Sequence, residues 1–242
     1  MPITIAGQDI SAFGARLRQD YTISGASISP TLRQGKNDSQ FFLLDRSDGL
    51  LTVTLPLDFY GKNVPEIAQN MAKLRGMCHE LVEVSVGDGF RYRLCLTGIG
   101  AQEWTGDVLC SQTLTFQGQR LGEPLCVTGT APLVLHNPGT WAKTACRVTF
   151  TGFQPTGANV TIALRQGNIA YLTWRIINSS DYSGGDLVLD GIEKVNSYAG
   201  SALPKSTMTW TEYPWLHPGE CILTAFGCKF NAATVEWQPA YL

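Results

Sequence analysis

Three histidines, seven cysteines and a short run of carboxylates are the side chains of this 242-residue chain whose types suit chemistry. His79, His136 and His217 lie far apart in sequence. A metal site needs several such ligands converging in tetrahedral or octahedral geometry, and the spacing brings none together locally. Cys78, Cys95, Cys110, Cys126, Cys146, Cys221 and Cys228 contain no C-x-x-C pair and none sits in a recognisable nucleophile context. A G-x-S-x-G turn is also missing. Spacing alone does not exclude a Ser-His-Asp or Cys-His site, because such groups assemble from distant segments. Asp181, Asp186, Asp190 and Glu193 are close enough to supply the two carboxylates that glycoside hydrolysis uses. Their setting, Ser179-Ser180-Asp181-Tyr182-Ser183-Gly184-Gly185-Asp186, reads first as a polar loop entering a strand. Gly98-Ile99-Gly100 lacks the third glycine and following helix of a phosphate loop, so it reads as a turn. The expectation is a chain with no catalytic, metal or cofactor site, and not an enzyme.

Aromatic residues are the remaining feature. Trp174, Trp210, Trp215 and Trp237 are concentrated in the second half with Tyr171, Tyr198 and Tyr213. Flat rings stack on sugar faces, but alternating aromatics also fill a β-sandwich interior, each burying ~150–250 Å². Trp174, Trp210 and Trp215 are the candidates for contact with a glycan or a partner protein.

The elements that would position these residues are mostly strands. Apolar residues make up 44% of the chain and charged residues 16%, enough to build real cores, and 25 glycines with 12 prolines suit short strands joined by turns. Net charge is −2, with 11 basic against 13 acidic residues in 1–136 and seven of each in 137–242. Nucleic acid binding needs clustered positive charge, and neither half offers it. No run approaches the ~18 apolar residues of a membrane helix. The chain opens without a charged segment leading into an apolar one, which predicts synthesis in the cytosol with reduced cysteines. A Cys221–Cys228 bridge across adjacent strands is the alternative.

Ile3 to Ile10 alternates as a half-buried strand, and Gln40 to Asp45 follows as another. Leu51, Val53, Leu55 and Leu57 alternate with polar neighbours, and Pro56 suggests an edge strand. Ile67, Met71, Leu74 and Cys78 form one helical stripe, which predicts an α-helix over about 64–76 with Asn63 as N-cap and Gly76 at its end. Leu81–Val86 and Phe90–Leu96 flank Gly87-Asp88-Gly89 as a hairpin, and Val108–Gln117 is a further strand. Turn formers then crowd residues 119–140, the best candidate boundary. Beyond it lie seven short strand signals: 145–151, 159–164, 171–177, 186–189, 206–210, 220–224 and 233–237. The reading is a mostly β protein of two β-sandwich-type domains: 1–130 carrying the helix, a linker over 131–140, and 141–242.

The order of these motifs resembles that of phage and prophage distal tail proteins over essentially the full length. An N-terminal strand ends near Gly7-Gln8-Asp9-Ile10, and a β domain with one helix and a hairpin follows. Asn137-Pro138-Gly139-Thr140 then leads into a sandwich containing Leu187-Val188-Leu189-Asp190 and Val195-Asn196-Ser197-Tyr198, which closes through Tyr213-Pro214-Trp215-Leu216-His217-Pro218-Gly219. Gly219-Glu220 departs from the family's more frequent Gly-Asn pair, which is expected to alter the turn and not the role. The resemblance implies a galectin-like second domain and a hexameric ring formed by the first domains at the tail's distal end. That ring would join the tail tube protein to tail-tip hub, baseplate and receptor-binding proteins, after assembly in the bacterial host cytoplasm. A carbohydrate-binding module recognising host wall glycans is the other reading, resting on the aromatics.

The reduced-cysteine reading makes a simple prediction. Thiol titration of denatured protein kept from air should count seven reactive groups; a count of five would instead indicate the Cys221–Cys228 bridge.

Overall fold

The computed structural model describes residues 2–34, 41–157, 160–178 and 181–242, without the side chains of residues 34 and 41–47. Gln40, Asn159, Ser179 and Ser180, which the sequence places at strand starts or in a loop, lie outside the described residues. The chain divides into two compact units, residues 1–122 with 240–242 and residues 123–239.

In the first unit β1 (Thr4–Ile5) and β2 (Gln8–Asp9) fold back on one another, and a 3-10 turn (Ile10–Phe13) leads to β3 (Ala15–Leu17) and β4 (Thr22–Ser24). Among the described residues, β5 (Ile28–Gln34) and β6 (Phe41–Asp48) pair only with each other, as a separate two-stranded ribbon. β7 (Leu51–Tyr60) precedes α1 (Val64–Met77), and β8 (Val82–Ser85), β9 (Arg91–Ile99), β10 (Glu103–Thr105) and β11 (Leu109–Leu121) follow. Apart from the ribbon, these strands make one antiparallel sheet in the order β2-β1-β8-β9-β11-β7-β3, with β4 also on β7 and β10 also on β11. The period-two pattern of β7 puts Leu51, Val53, Leu55, Leu57 and Phe59 inside, each at most 1% exposed. There they join Leu114 and Phe116 of β11, Tyr92 and Leu94 of β9, and the helix stripe.

The helix is the only α-helix among the described residues, and its sequence explains it. Asn63 is extended and its side chain accepts the Glu66 N–H at 3.0 Å, while the Glu66 carboxylate takes the Lys62 N–H at 2.7 Å. Pro65 sits in the first turn, where its missing N–H removes no helical bond. Ile67, Met71 and Leu74 are completely buried and Cys78 nearly so. Gly76 does not end the helix; it lies within the last turn, and Cys78 caps it through an N–H bond to the Arg75 carbonyl. The hairpin at Gly87-Asp88-Gly89 forms between β8 and β9, with both glycines at positive φ.

Pro56 was expected to mark a sheet edge, yet β7 is flanked by β11 on one side and by β3 and β4 on the other. The Pro56 carbonyl accepts the Arg18 N–H, so the missing N–H of Pro56 faces the same side, at the break between β3 and β4. The ladder therefore loses nothing there. The Ile3–Ile10 strand likewise resolves into β1 and β2 around a turn at Ala6-Gly7.

The second unit contains β12 (Leu125–Gly129), β13 (Leu133–Asn137), β14 (Thr144–Pro155), β15 (Val160–Gln166), β16 (Ile169–Ile176) and β17 (Gly185–Asp190). It continues through β18 (Val195–Tyr198), β19 (Ser201–Ala202), β20 (Met208–Trp210), β21 (Trp215–Leu216), β22 (Gly219–Phe226), β23 (Cys228–Lys229) and β24 (Ala232–Trp237). One sheet has the order β13-β22-β15-β16-β20; the other runs β12-β24-β14-β17-β18-β19, with β21 and β23 also on β14. Val148, Phe150, Leu187, Leu189 and Val235 from the second sheet share one core with Ile162, Leu164, Leu172, Trp174 and Leu223 from the first. That is a sandwich. The segment 131–140, expected as a linker, instead supplies β13, whose Leu133 and Leu135 point into this core. Likewise β12, inside the expected first domain, pairs with β24 of the second unit.

β25 (Ala240–Tyr241) then returns to the first unit and pairs with Arg120 and Leu121 of β11. Tyr241 packs edge-on against Phe90 at 5.4 Å, Arg120 lies over the Phe90 ring, and its guanidinium donates to the Leu242 carbonyl at 2.7 Å.

Because Leu74 is completely buried between helix and sheet, Leu74→Ala should destabilise the first unit by ~2–5 kcal/mol in denaturant melts. A loss below about half a kcal/mol would show that the cavity collapses without cost.

Candidate functional site

The two motifs that frame the second unit meet at one side chain. β13 pairs with β22 so that Asn137 stands opposite Gly219. Asn137 is 1% exposed, and its amide nitrogen donates to Thr144 Oγ1 at 3.2 Å and to the His217 carbonyl at 3.1 Å. Its amide oxygen accepts the Gly139 N–H at 3.1 Å, closing an Asx turn. One buried amide thus joins the N-P-G-T segment, the start of β14 and the W-L-H-P-G segment. The neighbouring strand crossing needs a glycine. A Cβ on Gly191 would meet the Pro214 carbonyl at 1.9 Å, while the Gly191 N–H donates to Cys146 O and the Cys146 N–H to Pro214 O.

This framework fixes residues 211–215 beside a cleft of about 620 Å³. The Trp215 indole N–H donates to Glu212 at 2.7 Å, and the Trp215 carbonyl accepts the Tyr171 hydroxyl at 3.2 Å. The rings of Tyr171 and His217 lie 4.8 and 4.5 Å from that of Trp215. Lys143 places its ammonium 3.1 Å from Glu212 and 4.7 Å from the Trp215 ring centre. The indole N–H and then Lys143 hold the Glu212 carboxyl below its usual range. Burial, helped by the Lys143 charge, lowers His217.

The three tryptophans singled out for glycan or partner contact do not form one platform. Trp174 is 1% exposed and lies in the core, so its faces are closed to a sugar. Trp210 is its cross-strand partner on β20, half-buried against the same core, with Lys205 over its ring at 5.5 Å. Trp215 alone borders the 620 Å³ cleft, and Lys143 lies over its ring.

The carboxylates build turns. Asp190 is 3% exposed, pairs with Arg147 at 2.7 Å and accepts the N–H groups of Ile192 and Glu193. Asp186 accepts the Gly152 N–H, and Asp181 accepts the Asn178 amide. Among the described residues, no three His, Cys, Asp or Glu side chains gather as metal ligands would. All seven cysteines are free; Cys221 is buried beside the His217 carbonyl, and Cys228 lies on β23 against β14. Burial pushes the Cys78 and Cys228 thiols up to about 11, which keeps them protonated and poor nucleophiles.

The first unit presents two features that sequence reading missed. Residues 28–33 of the ribbon are all exposed, including Ile28 and Leu32, so that strand buries none of these side chains. Among the described residues, no strand pairs with the second side of β10, or with the side of β9 facing β8 beyond Leu94. The strands around 51–57 and 81–96 are largely paired within the unit.

No family model matches the chain, and no curated protein is similar in sequence. Solved structures are similar in fold. The Dit protein of phage SPP1, described as a paradigm of the hub adsorption apparatus in phages infecting Gram-positive bacteria, aligns over 100% of this chain and 99% of its own. The TM-score is 0.68 at 14% identity. Chains of the phage p2 baseplate in its activated conformation, with strontium and with calcium, align over 96% of this chain and 92% of theirs. Their TM-scores are 0.48 and 0.47, at 11% and 10% identity. The SPP1 likeness is one of fold, across both units.

The Asn137 amide yields a prediction. Asn137→Ala leaves the buried Thr144 and His217 groups without their partner and should cost ~1–3 kcal/mol in thermal or denaturant unfolding. Asn137→Asp keeps the acceptor for Gly139 but not the two donors, so it should not restore stability.

Proposed function

We propose that this chain is a structural component of a phage or prophage tail: a distal tail protein that forms a hexameric ring through its first unit. In this reading the ring joins the tail tube to tail-tip, baseplate and receptor-binding proteins. The second unit, a galectin-like sandwich, serves as a peripheral docking platform. The chain is then not an enzyme and needs no cofactor. It works at the virion tail tip after assembly in the host cytoplasm.

The observation that carries the proposal is the fold likeness to the SPP1 hub protein along both chains at a TM-score of 0.68. The ribbon adds a physical reason for self-association. An isolated two-stranded hairpin is marginally stable in water, and unpaired strand edges template further pairing. A head-to-tail contact between copies would cover both, and such contacts close into a ring when each turns the next by the same angle.

The test uses the full chain. Gly49 N–H already donates to the Ser27 carbonyl at 2.6 Å, so residues 28–48 can be replaced by a short Gly-Asn turn. Native mass spectrometry should find a hexamer for the intact chain and a monomer for the ribbon variant, with the circular dichroism of the two otherwise alike. An intact chain that stays monomeric even with the tail tube protein would refute the ring. A folded ribbon variant that still forms hexamers would remove the ribbon from the interface.

A further inference from the structure

The cleft beside Trp215 has the composition of a ligand site, and we propose that it binds a phosphate-bearing glycan, a sugar or polyol chain carrying phosphate. The inference does not depend on ring formation. At about 620 Å³ the cleft falls within the ~300–1,000 Å³ typical of small-molecule sites. Its walls are set before any ligand arrives. Trp215 is held by Glu212 at its indole nitrogen, by Tyr171 at its carbonyl, and by the rings of Tyr171 and His217. Gly191 fixes the opposite approach, because no side chain fits against the Pro214 carbonyl. Side chains already locked in place lose little freedom on binding.

Charge selects the ligand. Two ammonium groups, Lys143 and Lys194, border the cleft against one carboxylate, Glu212. Glu212 is committed to Lys143 and to the Trp215 indole, which leaves the charge of Lys194 unbalanced by the cleft's own groups. Lys194 stands in the turn between β17 and β18 at φ 55°, a left-handed conformation uncommon for lysine. Asp190 holds that turn by accepting the Ile192 and Glu193 N–H groups. A lysine ammonium binds phosphate as a point charge without demanding a fixed angle. Tyr213 and the rim of Trp215, both partly exposed, supply apolar surface for the C–H face of a sugar or polyol. An anion with an apolar face is the chemistry these walls fit, which disfavours a neutral sugar alone.

The experiment titrates the full chain with four probes and follows tryptophan fluorescence and calorimetric heat. Poly(glycerol phosphate) and glucose 6-phosphate carry the proposed chemistry, dextran lacks charge, and polyglutamate lacks the polyol. Binding is expected for poly(glycerol phosphate), weakening as salt rises. Glucose 6-phosphate binding as well would mean that a single phosphate-bearing unit suffices; its failure would assign the site to the polymer. Lys194→Asn suits the left-handed backbone and should weaken binding about fivefold, the upper end for one exposed ion pair. Lys194→Arg should keep most of it, and neither variant should move the thermal midpoint. The proposal is overturned if no phosphate probe binds, if dextran or polyglutamate binds equally well, or if Lys194→Asn leaves affinity unchanged.

Discussion

In the first unit, the pairing of β7 with β11 sets almost everything else. Side chains alternate across a strand, so a slip of one residue would turn Leu51, Val53, Leu55, Leu57 and Phe59 out of the core together. A polar pair on the opposite face reinforces that register. Ser111 donates to Asp58 at 2.6 Å, both are about 8% exposed, and Tyr60 also reaches the carboxylate. Any other register would take the Ser111 donor away from this buried carboxylate, which costs more than the bond itself gains. With β7 and β11 fixed, β9 and the short β3 and β4 have defined edges to join. The helix then has a single apolar surface to cover.

The second unit depends on a different device. Its sandwich core would tolerate hydrophobic substitutions of similar volume, but the loops at one end are specified atom by atom. Asn137 satisfies two acceptors and one donor in a place closed to water, and Gly191 permits a backbone approach that no other residue allows. Together they place Trp215, Glu212 and Lys143 with little freedom. A precise end on an adaptable core is how many β-sandwiches carry binding surfaces.

Local patterns made much of this legible. The alternation of Leu51 to Leu57, the stripe from Ile67 to Cys78 with its Asn63 cap, and the seven strand signals after residue 141 all correspond to observed elements. What stayed hidden is set by distant partners. Residues 131–140 look like a linker because turn formers crowd the boundary segment 119–140 that contains them. Leu133 and Leu135 are nevertheless drawn into a strand by Leu223 and Cys221 of β22, distant in sequence. Pro56 looked like an edge marker because a sequence does not show that two short strands part where its N–H is missing. For the tryptophans, type alone gave no exposure: Trp174 and Trp215 read alike in sequence and differ in whether a cleft reaches them. Asn137 was visible as part of a turn motif, but its role as a three-way bridge was not.

The return of β25 to β11 has a consequence for the order of events on the ribosome. Residues 240–241 are synthesised only after the whole of residues 123–239. Until then the Arg120–Leu121 edge of β11 lacks its last strand and Phe90 lacks the Tyr241 ring. The usual N-to-C order, in which an earlier domain is finished before a later one emerges, is therefore interrupted. The nascent first unit must wait, with one strand end open, while the sandwich is being translated.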